Sequence, residues 1–193
     1  MTNDIIMTNT DIIEISEFKK SEKEDIISHF TKDQILFLLK GIPPNKSMMF
    51  QFLWRTGIRV SELINIKKSN IDFENDEITI RWLKNRKAIF RVIPLHHSFK
   101  NSLWMYCSNL KYDDKLFPIS RQRVDQLCKK YNLDHCHKLR HTFAINFLRQ
   151  SDSPMALLEL KNLLGHKKIE TTMIYLQVVP VQLKASLKHI SFD

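Results

Sequence analysis

Glycine is scarce in this chain, and that scarcity narrows the possible folds more than any other feature of the sequence. The 193 residues contain three glycines, Gly41, Gly57 and Gly165. Dinucleotide-binding and P-loop domains need several glycines within one phosphate-binding turn, so both classes are excluded. A sandwich of many tight hairpins is disfavoured for the same reason. With 43% apolar and 26% charged residues, the chain has the composition of a folded globular domain.

Hydrophobic periodicity predicts a mainly helical α+β fold with a small antiparallel sheet. Residues 78–82 alternate between apolar and polar side chains, and a second alternating segment, 89–93, follows a basic turn. Thr31 and Gln34 form a capping box for a first helix, and Asn45 is the expected cap of a second that ends at Gly57. Further helices are predicted over residues 59–66, 96–109, 120–131, 138–150, 154–164, 169–177 and 181–189.

Charge is divided unevenly along the chain. Residues 1–30 contain seven acidic side chains and three lysines, so their net charge is −4. Because the whole chain has a net charge of +9, residues 31–193 carry +13. We therefore expect an acidic, flexible N-terminal arm at 1–30 and a single basic domain at 31–193. A domain this basic favours a polyanion, nucleic acid above all, as its partner, although a soluble domain with no special partner has the same composition.

Cysteine usage and hydropathy indicate where the chain works. The three cysteines are odd in number and form no C-x-x-C pair, so no disulfide framework is expected. We therefore expect a reducing compartment, the cytoplasm. No apolar run approaches the roughly 20 residues that span a bilayer, and no membrane partner is predicted.

An arginine follows a helix-ending glycine in the segment that precedes the two predicted strands. In the segment TGIRVSEL, Arg59 comes directly after that helix end and can point into a cleft, while Glu62 supports the start of the next helix.

The basic turn that joins the two predicted strands presents five cations that can follow a phosphate backbone. Taken alone, this turn and the TGIRVSEL segment are each also typical of a solvated surface. The five are Arg81, Lys84, Arg86, Lys87 and Arg91.

The segment HKLRHTFA predicts a buried arginine. His137 and Arg140 are three residues apart, so they share a helix face. Arg140 lies beside the apolar stripe that begins at Leu139, where an arginine needs an anionic partner.

Two further polar groups lie near the end of the chain. His166 follows a glycine in the segment LLGH, and Tyr175 closes the segment TTMIY. Ile169, Met173 and Leu176 form the expected buried stripe of this helix. Tyr175 falls about 100° or more off the stripe, so its hydroxyl can reach a cleft, as an ordinary surface tyrosine also would.

A metal site is the alternative interpretation of one histidine-rich segment. Cys128, His135, Cys136, His137 and His141 are close in sequence. Structural zinc sites show paired ligands at set spacings, and here only His137 and His141 have a helical ligand spacing. The sequence therefore predicts no metal.

The motifs together resemble the tyrosine recombinase, or phage integrase, family. The resemblance runs from about residue 31 to residue 178 and implies the integrase catalytic fold. It also implies an enzyme that cuts and rejoins one DNA strand through a covalent phosphotyrosine, with no metal or nucleotide cofactor. The matching residues, in chain order, are Arg59, His137, Arg140, His166 and Tyr175.

The resemblance assigns each of these groups a role that suits its chemistry. Arg59 and Arg140 donate to the non-bridging oxygens of the scissile phosphate, and His166 adds a further hydrogen bond. Tyr175 attacks the phosphorus and leaves a 3′-phosphotyrosyl link. Lys84 gives a proton to the departing 5′-oxygen.

The remaining assignments concern supporting groups and DNA contacts. His137 assists proton movement at the tyrosine hydroxyl, and Glu62 supports the site. The family's lysine turn usually contains glycine and this one does not, so Lys87 is a rival to Lys84. The residues expected to contact DNA are Arg81, Arg86, Lys87 and Arg91.

The resemblance also implies partners. A homotetramer on paired double-stranded DNA sites is expected. The chain resembles either a short family member without the usual preceding DNA-binding domain or a decayed or excised catalytic half. The predicted helix 181–189 docks either on a neighbouring subunit or on its own core. Two other functions use the same features: a type IB topoisomerase-like nicking and closing enzyme, and a non-enzymatic DNA-binding remnant.

Overall fold

The computed structural model describes residues 27–84 and 87–179, and for residues 82–84, 87 and 88 it describes the backbone. Within these ranges, eight α-helices and a three-stranded antiparallel sheet form the fold. The mainly helical α+β architecture predicted from the sequence is confirmed. In the described ranges, no helix combines the length and the apolar character needed to cross a bilayer.

The elements follow one another with short connections. Two short 3₁₀ segments lie at Lys68–Asn70 and Ile174–Gln177. In chain order the others are α1 (Lys32–Lys40), α2 (Pro44–Thr56), α3 (Val60–Leu63), β1 (Ile71–Asp72), β2 (Glu77–Lys84), β3 (Lys87–Pro94), α4 (His97–Cys107), α5 (Arg121–Lys130), α6 (Cys136–Gln150), α7 (Ala156–Leu164) and α8 (Glu170–Met173).

Local capping fixes the starts of the first two helices. The Thr31 hydroxyl accepts from the Gln34 backbone N–H at 3.2 Å, and the Thr31 N–H donates to Gln34 Oε1 at 2.9 Å, which confirms the predicted capping box. The prediction that Asn45 caps α2 is wrong, because the helix begins at Pro44, with Pro43 in the capping position. A proline suits the first helical residue, since its fixed φ is helical and its missing N–H needs no partner.

Helix α2 is buried on most of its sides. Phe52 has no exposed surface, and its ring makes edge contacts with Phe99 and Phe117 at centroid distances of 6.1 and 5.6 Å. A helix that is apolar around most of its circumference belongs inside a core. The other buried apolar side chains of α2 are Met48, Met49, Phe50, Leu53 and Trp54.

The sheet is a β2–β3 ribbon with β1 at one edge. The register pairs Ile78 with Ile93 and Ile80 with Arg91. The three isoleucines are no more than 2% exposed, so the alternation predicted from the sequence places one face of the ribbon against the core. The two-residue strand β1 was not predicted, because it is too short to show any periodicity.

The buried apolar residues form two clusters rather than the single core expected. The larger cluster contains α2 and the sheet. The smaller one joins α6, α7 and the last 3₁₀ segment, so it connects the elements that carry the predicted catalytic residues. Its fully buried members are Ala144, Ile145, Leu160, Leu164 and Tyr175.

The first described residues are attached to these clusters. Phe30 is buried, and its N–H donates to the Thr142 hydroxyl at 2.9 Å. Ile27 packs against the smaller cluster. Residues 27–30 of the expected arm therefore pack on the folded domain. Residues 1–26 of that arm, and the predicted helix 181–189, lie outside the described residues.

The helix predicted over residues 169–177 is divided. It consists of α8 followed by the 3₁₀ segment Ile174–Gln177. Met173 is 47% exposed, whereas Thr172 and Tyr175 are buried, so the predicted buried stripe is wrong. Thr172 lies in α8 and Tyr175 in the 3₁₀ segment, three residues later, and that spacing places both on one side in either kind of helix.

Candidate active site

Two helix ends with left-handed glycines place the first site residues. Gly57 ends α2 with φ of 63°, and Arg59 is the residue that precedes α3. Gly165 ends α7 with φ of 65°, and His166 follows it. A positive φ strains any residue with a Cβ, so both chain reversals depend on glycine.

Arg140 links these two helix ends. Its side chain projects from α6, is 3% exposed at the residue level, and donates from Nη1 to the Gly57 carbonyl at 2.5 Å. Nη2 donates to the Leu164 carbonyl at 2.7 Å and lies 3.0 Å from His166 Nε2. Burial, and next the charge of Arg59, lower the pKa of Arg140 to about 10, so the guanidinium stays charged at neutral pH.

The contacts of His166 define its protonation state. A guanidinium can only donate, so His166 Nε2 accepts from Arg140, and Nδ1 carries the proton that reaches the Thr172 hydroxyl at 2.9 Å. Burial, and next the charges of Arg140 and Arg59, lower the pKa of His166 to about 4. The imidazole is therefore neutral at physiological pH.

A buried carboxylate organises the arginines. Glu62 accepts the backbone N–H of Arg59 at 2.8 Å and contacts its Nη1 at 3.4 Å. Arg91 donates to both Glu62 oxygens, at 2.7 and 2.8 Å. Burial alone raises the pKa of Glu62, but the hydrogen bond and charge of Arg91 outweigh it and hold that pKa below its ordinary value.

Arg91 lies in a different place from the one the sequence analysis expected. Its side chain is 7% exposed, and its Nε donates to the Leu163 carbonyl at 2.8 Å. It therefore braces Glu62 and the end of α7 from inside the fold, and this position does not suit the predicted contact with DNA. Arg59 keeps 35% of its side chain exposed and is the arginine of this cluster that faces solvent.

Tyr175 lies against His141 of α6. It is 2% exposed, and its hydroxyl lies 3.1 Å from Nδ1 of His141. Burial raises the pKa of Tyr175, while the charges of Arg140 and Arg59 oppose that shift, so the phenol keeps its proton at neutral pH. His141 was considered only as a metal ligand in the sequence analysis, and its contact with Tyr175 was missed.

His137 occupies the edge of the site. Its ring is exposed at the start of α6 and contacts the His141 ring, with centroids 5.8 Å apart. Burial of part of the ring, and next the charge of Arg140, lower the pKa of His137.

Two clefts meet at Arg59. The larger has a volume of about 1080 Å³, includes His166 in its wall, and has a strongly basic lining. The smaller, of about 310 Å³, contains His137, Arg121 and Asp125. Arg140 and Tyr175 line neither cleft, and both are buried. The basic residues of the larger cleft are Arg59, Lys67, Arg81, Lys115, Lys167 and Lys168.

The remaining hairpin residues stay predictions. Lys84 and Lys87 are paired at the end of the β2–β3 ribbon, where the backbone alone is described, and Arg86 lies outside the described residues. Arg81 is exposed and lines the larger cleft, as a DNA contact requires.

The histidine and cysteine segment does not assemble a metal-binding group. Across the described residues, no three His, Cys, Asp or Glu side chains are arranged to hold a metal ion. Cys128 and Cys136 are free thiols with sulfur atoms 2.7 Å apart, and His135 Nδ1 instead accepts the Lys138 N–H at 3.2 Å as the cap of α6.

The chain matches one protein family over most of its length. Residues 18–180 match the phage integrase family, and the chain belongs to that family. It is 33% identical over 173 residues to the tyrosine recombinase XerA of Thermococcus onnurineus, across 80% of this chain and 59% of that protein. The tyrosine recombinase XerC of Staphylococcus carnosus is 28% identical over 190 residues, across 84% of this chain and 62% of that protein. The chain thus spans about three fifths of these curated relatives.

Solved structures share the fold. The catalytic domain of bacteriophage HP1 integrase superposes with a TM-score of 0.65 at 22% identity, across 85% of this chain and 95% of that one. The XerA recombinase crystal structure gives 0.63 at 24% identity, across 85% and 64%. The Tn1549 transposon integrase, solved in complex with circular intermediate DNA, gives 0.63 at 21% identity, across 86% and 66%. The predicted integrase catalytic fold is confirmed.

Proposed function

We propose that the protein is a site-specific DNA recombinase that cuts and rejoins DNA strands through a 3′-phosphotyrosyl intermediate. One observation carries the proposal: two arginines, a histidine and a tyrosine from separate parts of the chain lie within contact or electrostatic reach of one another beside one basic cleft. Arg59 and His166 line that cleft, Arg140 contacts His166, and the charges of both arginines act on the buried Tyr175.

Double-stranded DNA is the substrate that this cleft suits. Its basic side chains come from several elements, so they can contact successive phosphates of one duplex. A neighbour of the same fold, the Tn1549 integrase, was solved with DNA, which supports the same partner for this chain. These contacts position the duplex and carry little sequence information by themselves.

The arginines would stabilise the transition state. Attack on a phosphodiester adds negative charge to the two non-bridging oxygens, and planar guanidiniums donate to such oxygens in a fork. The described bonds of Arg140 use three of its five N–H groups and leave others for a phosphate. Removing one such donor costs on the order of 3–4 kcal/mol of transition-state stabilisation.

The covalent step exchanges one phosphoester for another. The Tyr175 oxygen bonds to phosphorus as its proton passes by way of His137 to water, and the bond from phosphorus to the 5′-oxygen breaks. Lys84, by the family resemblance, protonates the departing oxygen. The phosphotyrosyl link keeps the energy of the broken bond, so a second 5′-hydroxyl can reverse the step without a nucleotide.

His166 must change state before it can take part as a donor. Its Nε2 accepts from Arg140, and an acceptor cannot bind a phosphate oxygen. A bound phosphodiester brings negative charge beside the ring and raises the pKa of His166, so DNA binding favours the imidazolium form. His137 reaches the DNA from the smaller cleft, and its assistance to the tyrosine proton stays a prediction.

The assembly is inferred from the reaction. Strand exchange joins ends from two duplexes, which calls for a homotetramer on paired sites, acting on cytoplasmic or nucleoid DNA. Without paired sites, a monomeric topoisomerase-like enzyme would still relax supercoils.

A strand-exchange assay tests the function against that alternative. Duplexes retained by the protein from a randomised pool would be labelled with two dyes and incubated together with the protein. A recombinase yields strands carrying both dyes. Relaxation of a supercoiled plasmid lacking the retained sequence, with no doubly labelled strand, would contradict the proposal.

A further inference from the structure

One contact of the proposed nucleophile lies outside the catalytic set described above. The Tyr175 hydroxyl is 3.1 Å from His141 Nδ1, and the two rings are 5.7 Å apart between centroids. Neither the family motifs nor the sequence analysis gives His141 a part in the reaction.

Burial makes this contact decisive for the hydroxyl. Tyr175 is 2% exposed, so bulk water does not satisfy its O–H group. Leaving a buried hydroxyl without a hydrogen-bond partner costs about 1–3 kcal/mol of folding free energy. The O–H group therefore points toward the acceptor that lies within hydrogen-bond distance. Within the described ranges, that acceptor is His141 Nδ1.

Protonation states fix the direction of the bond. Burial, and next the charge of His137, lower the pKa of His141 to about 4, so its ring is neutral and has one acceptor nitrogen. The pKa of Tyr175 is raised, so the phenol keeps its proton. Because the buried phenol has no other acceptor among the described residues, it donates to Nδ1, and Nε2 then carries the imidazole proton.

His141 also ties the hydroxyl to the phosphate-binding arginine. It follows Arg140 directly on α6, and Arg140 is anchored to the carbonyls of Gly57 and Leu164. Tyr175 itself lies on a four-residue 3₁₀ segment, which is weakly held by its own backbone. The hydrogen bond therefore holds the Tyr175 hydroxyl in a fixed position relative to α6.

We propose that His141 is a positioning residue for Tyr175: its Nδ1 accepts the phenol O–H and fixes the nucleophile relative to Arg140. This inference rests on the proposed function. The role differs from that of a catalytic residue, because His141 acts on the reaction through the placement of Tyr175.

Three substitutions separate the acceptor from the ring. An asparagine amide oxygen can occupy the place of Nδ1, so His141→Asn keeps the acceptor and loses the ring. His141→Phe keeps the ring and loses the acceptor. His141→Gln carries its amide one bond further, at the place of Nε2, and serves as the matched control for a misplaced acceptor.

The measurement is the single-turnover rate of covalent adduct formation on saturating duplexes. The duplexes carry a bridging 5′-phosphorothiolate, whose sulfur leaves without a proton and cannot rejoin. We expect His141→Phe and His141→Gln to react about 10²-fold more slowly, as a nucleophile misplaced by an ångström does, and His141→Asn to keep most of the rate. The DNA dissociation constant should stay unchanged in all three.

The order of the variants decides the proposal. A structural role for the ring would make the Phe variant faster than the Asn variant, and that order, or a Phe variant as fast as the wild type, overturns the inference. Thermal unfolding of each variant shows whether it is folded.

Nitrogen-15 NMR of the histidine rings tests the contact even if a variant fails to fold. We expect an unprotonated His141 Nδ1 whose resonance shifts in the Tyr175→Phe protein. A proton on Nδ1, or no shift, refutes the bond. If the wild type forms no adduct while the NMR contact is present, the proposed function fails and the contact stands.

Discussion

At the scale of single residues, the site separates charges that support the fold from charges that face the cleft. Glu62 and Arg91 are paired inside the protein, whereas Arg59 shares the same carboxylate and keeps part of its side chain exposed. A buried pair holds its geometry because removing either partner leaves an uncompensated charge. Arg59 is thereby oriented by a buried carboxylate.

Two arginines of one hairpin should consequently respond differently to the same substitution. Arg91→Met removes the two shortest ion-pair contacts of the buried Glu62 and leaves it, among the described residues, only Arg59, so it should lower the free energy of unfolding by about 3 kcal/mol. Arg81→Met removes an exposed side chain and should change it by less than about 0.5 kcal/mol, while the salt dependence of DNA binding falls by about one phosphate contact. Urea unfolding and DNA titrations at several salt concentrations measure both effects. Equal stability of the two variants would contradict the assigned position of Arg91.

The depressed histidine pKa gives a pH dependence with a definite sign. His166 has a pKa of about 4 in the folded protein against an ordinary value of 6.5, so between these pH values the unfolded chain binds more protons. Stability should therefore rise with pH across this window and be lost as the pH falls from 6.5 to 4. In urea unfolding at pH 7, 5.5 and 4.5, His166→Asn should show a shallower loss than the wild type. Parallel curves for the two proteins would refute the shift.

Single residues also show how far the sequence could be interpreted in advance. The predicted catalytic residues could be found in the sequence because each lies in a short characteristic motif and the motifs occur in a fixed order. The structure brings two of these residues, Arg140 and His166, into contact. The sequence analysis assigned Arg91 to the DNA contacts because of its charge. Its spacing from Ile89 and Ile93 indicated a different position, since residues two apart on a strand lie on the same face of the sheet.

At the scale of elements, two helix ends define the site. Gly57 and Gly165 both reverse the chain in the left-handed region, and the carbonyls of Gly57 and of Leu164 accept from Arg140. The helix-terminal carbonyls that lack partners within their own helices thus become anchors for the guanidinium. The glycine positions were readable from the sequence, but the guanidinium that joins them was not, since it depends on how α6 packs.

An added methyl group tests this element directly. In Gly57→Ala, φ stays at 63° and the new Cβ would lie 2.3 Å from Phe143 Cδ1. Left-handed strain and overpacking together should lower the free energy of unfolding by about 2–4 kcal/mol. Gly41→Ala is the matched control, because φ there is −79° and the nearest atom is 3.6 Å away. Similar stabilities of the two alanine variants, measured by thermal unfolding, would show that the reversal at Gly57 is not constrained.

The element carrying Tyr175 marks the limit of sequence interpretation. A continuous helix was predicted over residues 169–177, with Met173 inside, yet Met173 is exposed and Tyr175 is buried. Met173 belongs to the α-helical part and Tyr175 to the 3₁₀ part, so no single period describes this segment. The contact with His141 joins residues 34 positions apart and depends on how α6 packs, so the sequence did not reveal it.

At the scale of the whole molecule, the basic character predicted from composition is concentrated at one cleft. Lys67 and Lys115 come from distant parts of the sequence and meet through a single antiparallel bridge beside Arg59. No motif marks these lysines, because their proximity is created by tertiary folding. The overall excess of positive charge was predictable, whereas its location required the structure.

Covalent trapping is the most direct test of the central claim, that Tyr175 attacks a phosphodiester held by Arg59 and Arg140. The full chain would be incubated with a pool of phosphorothiolate duplexes, and the adduct mapped by peptide mass spectrometry. We predict a DNA-linked peptide that contains Tyr175, no adduct from Tyr175→Phe, and DNA binding by that variant close to wild type. An adduct of equal yield from Tyr175→Phe, or one mapped to another residue, would contradict the account.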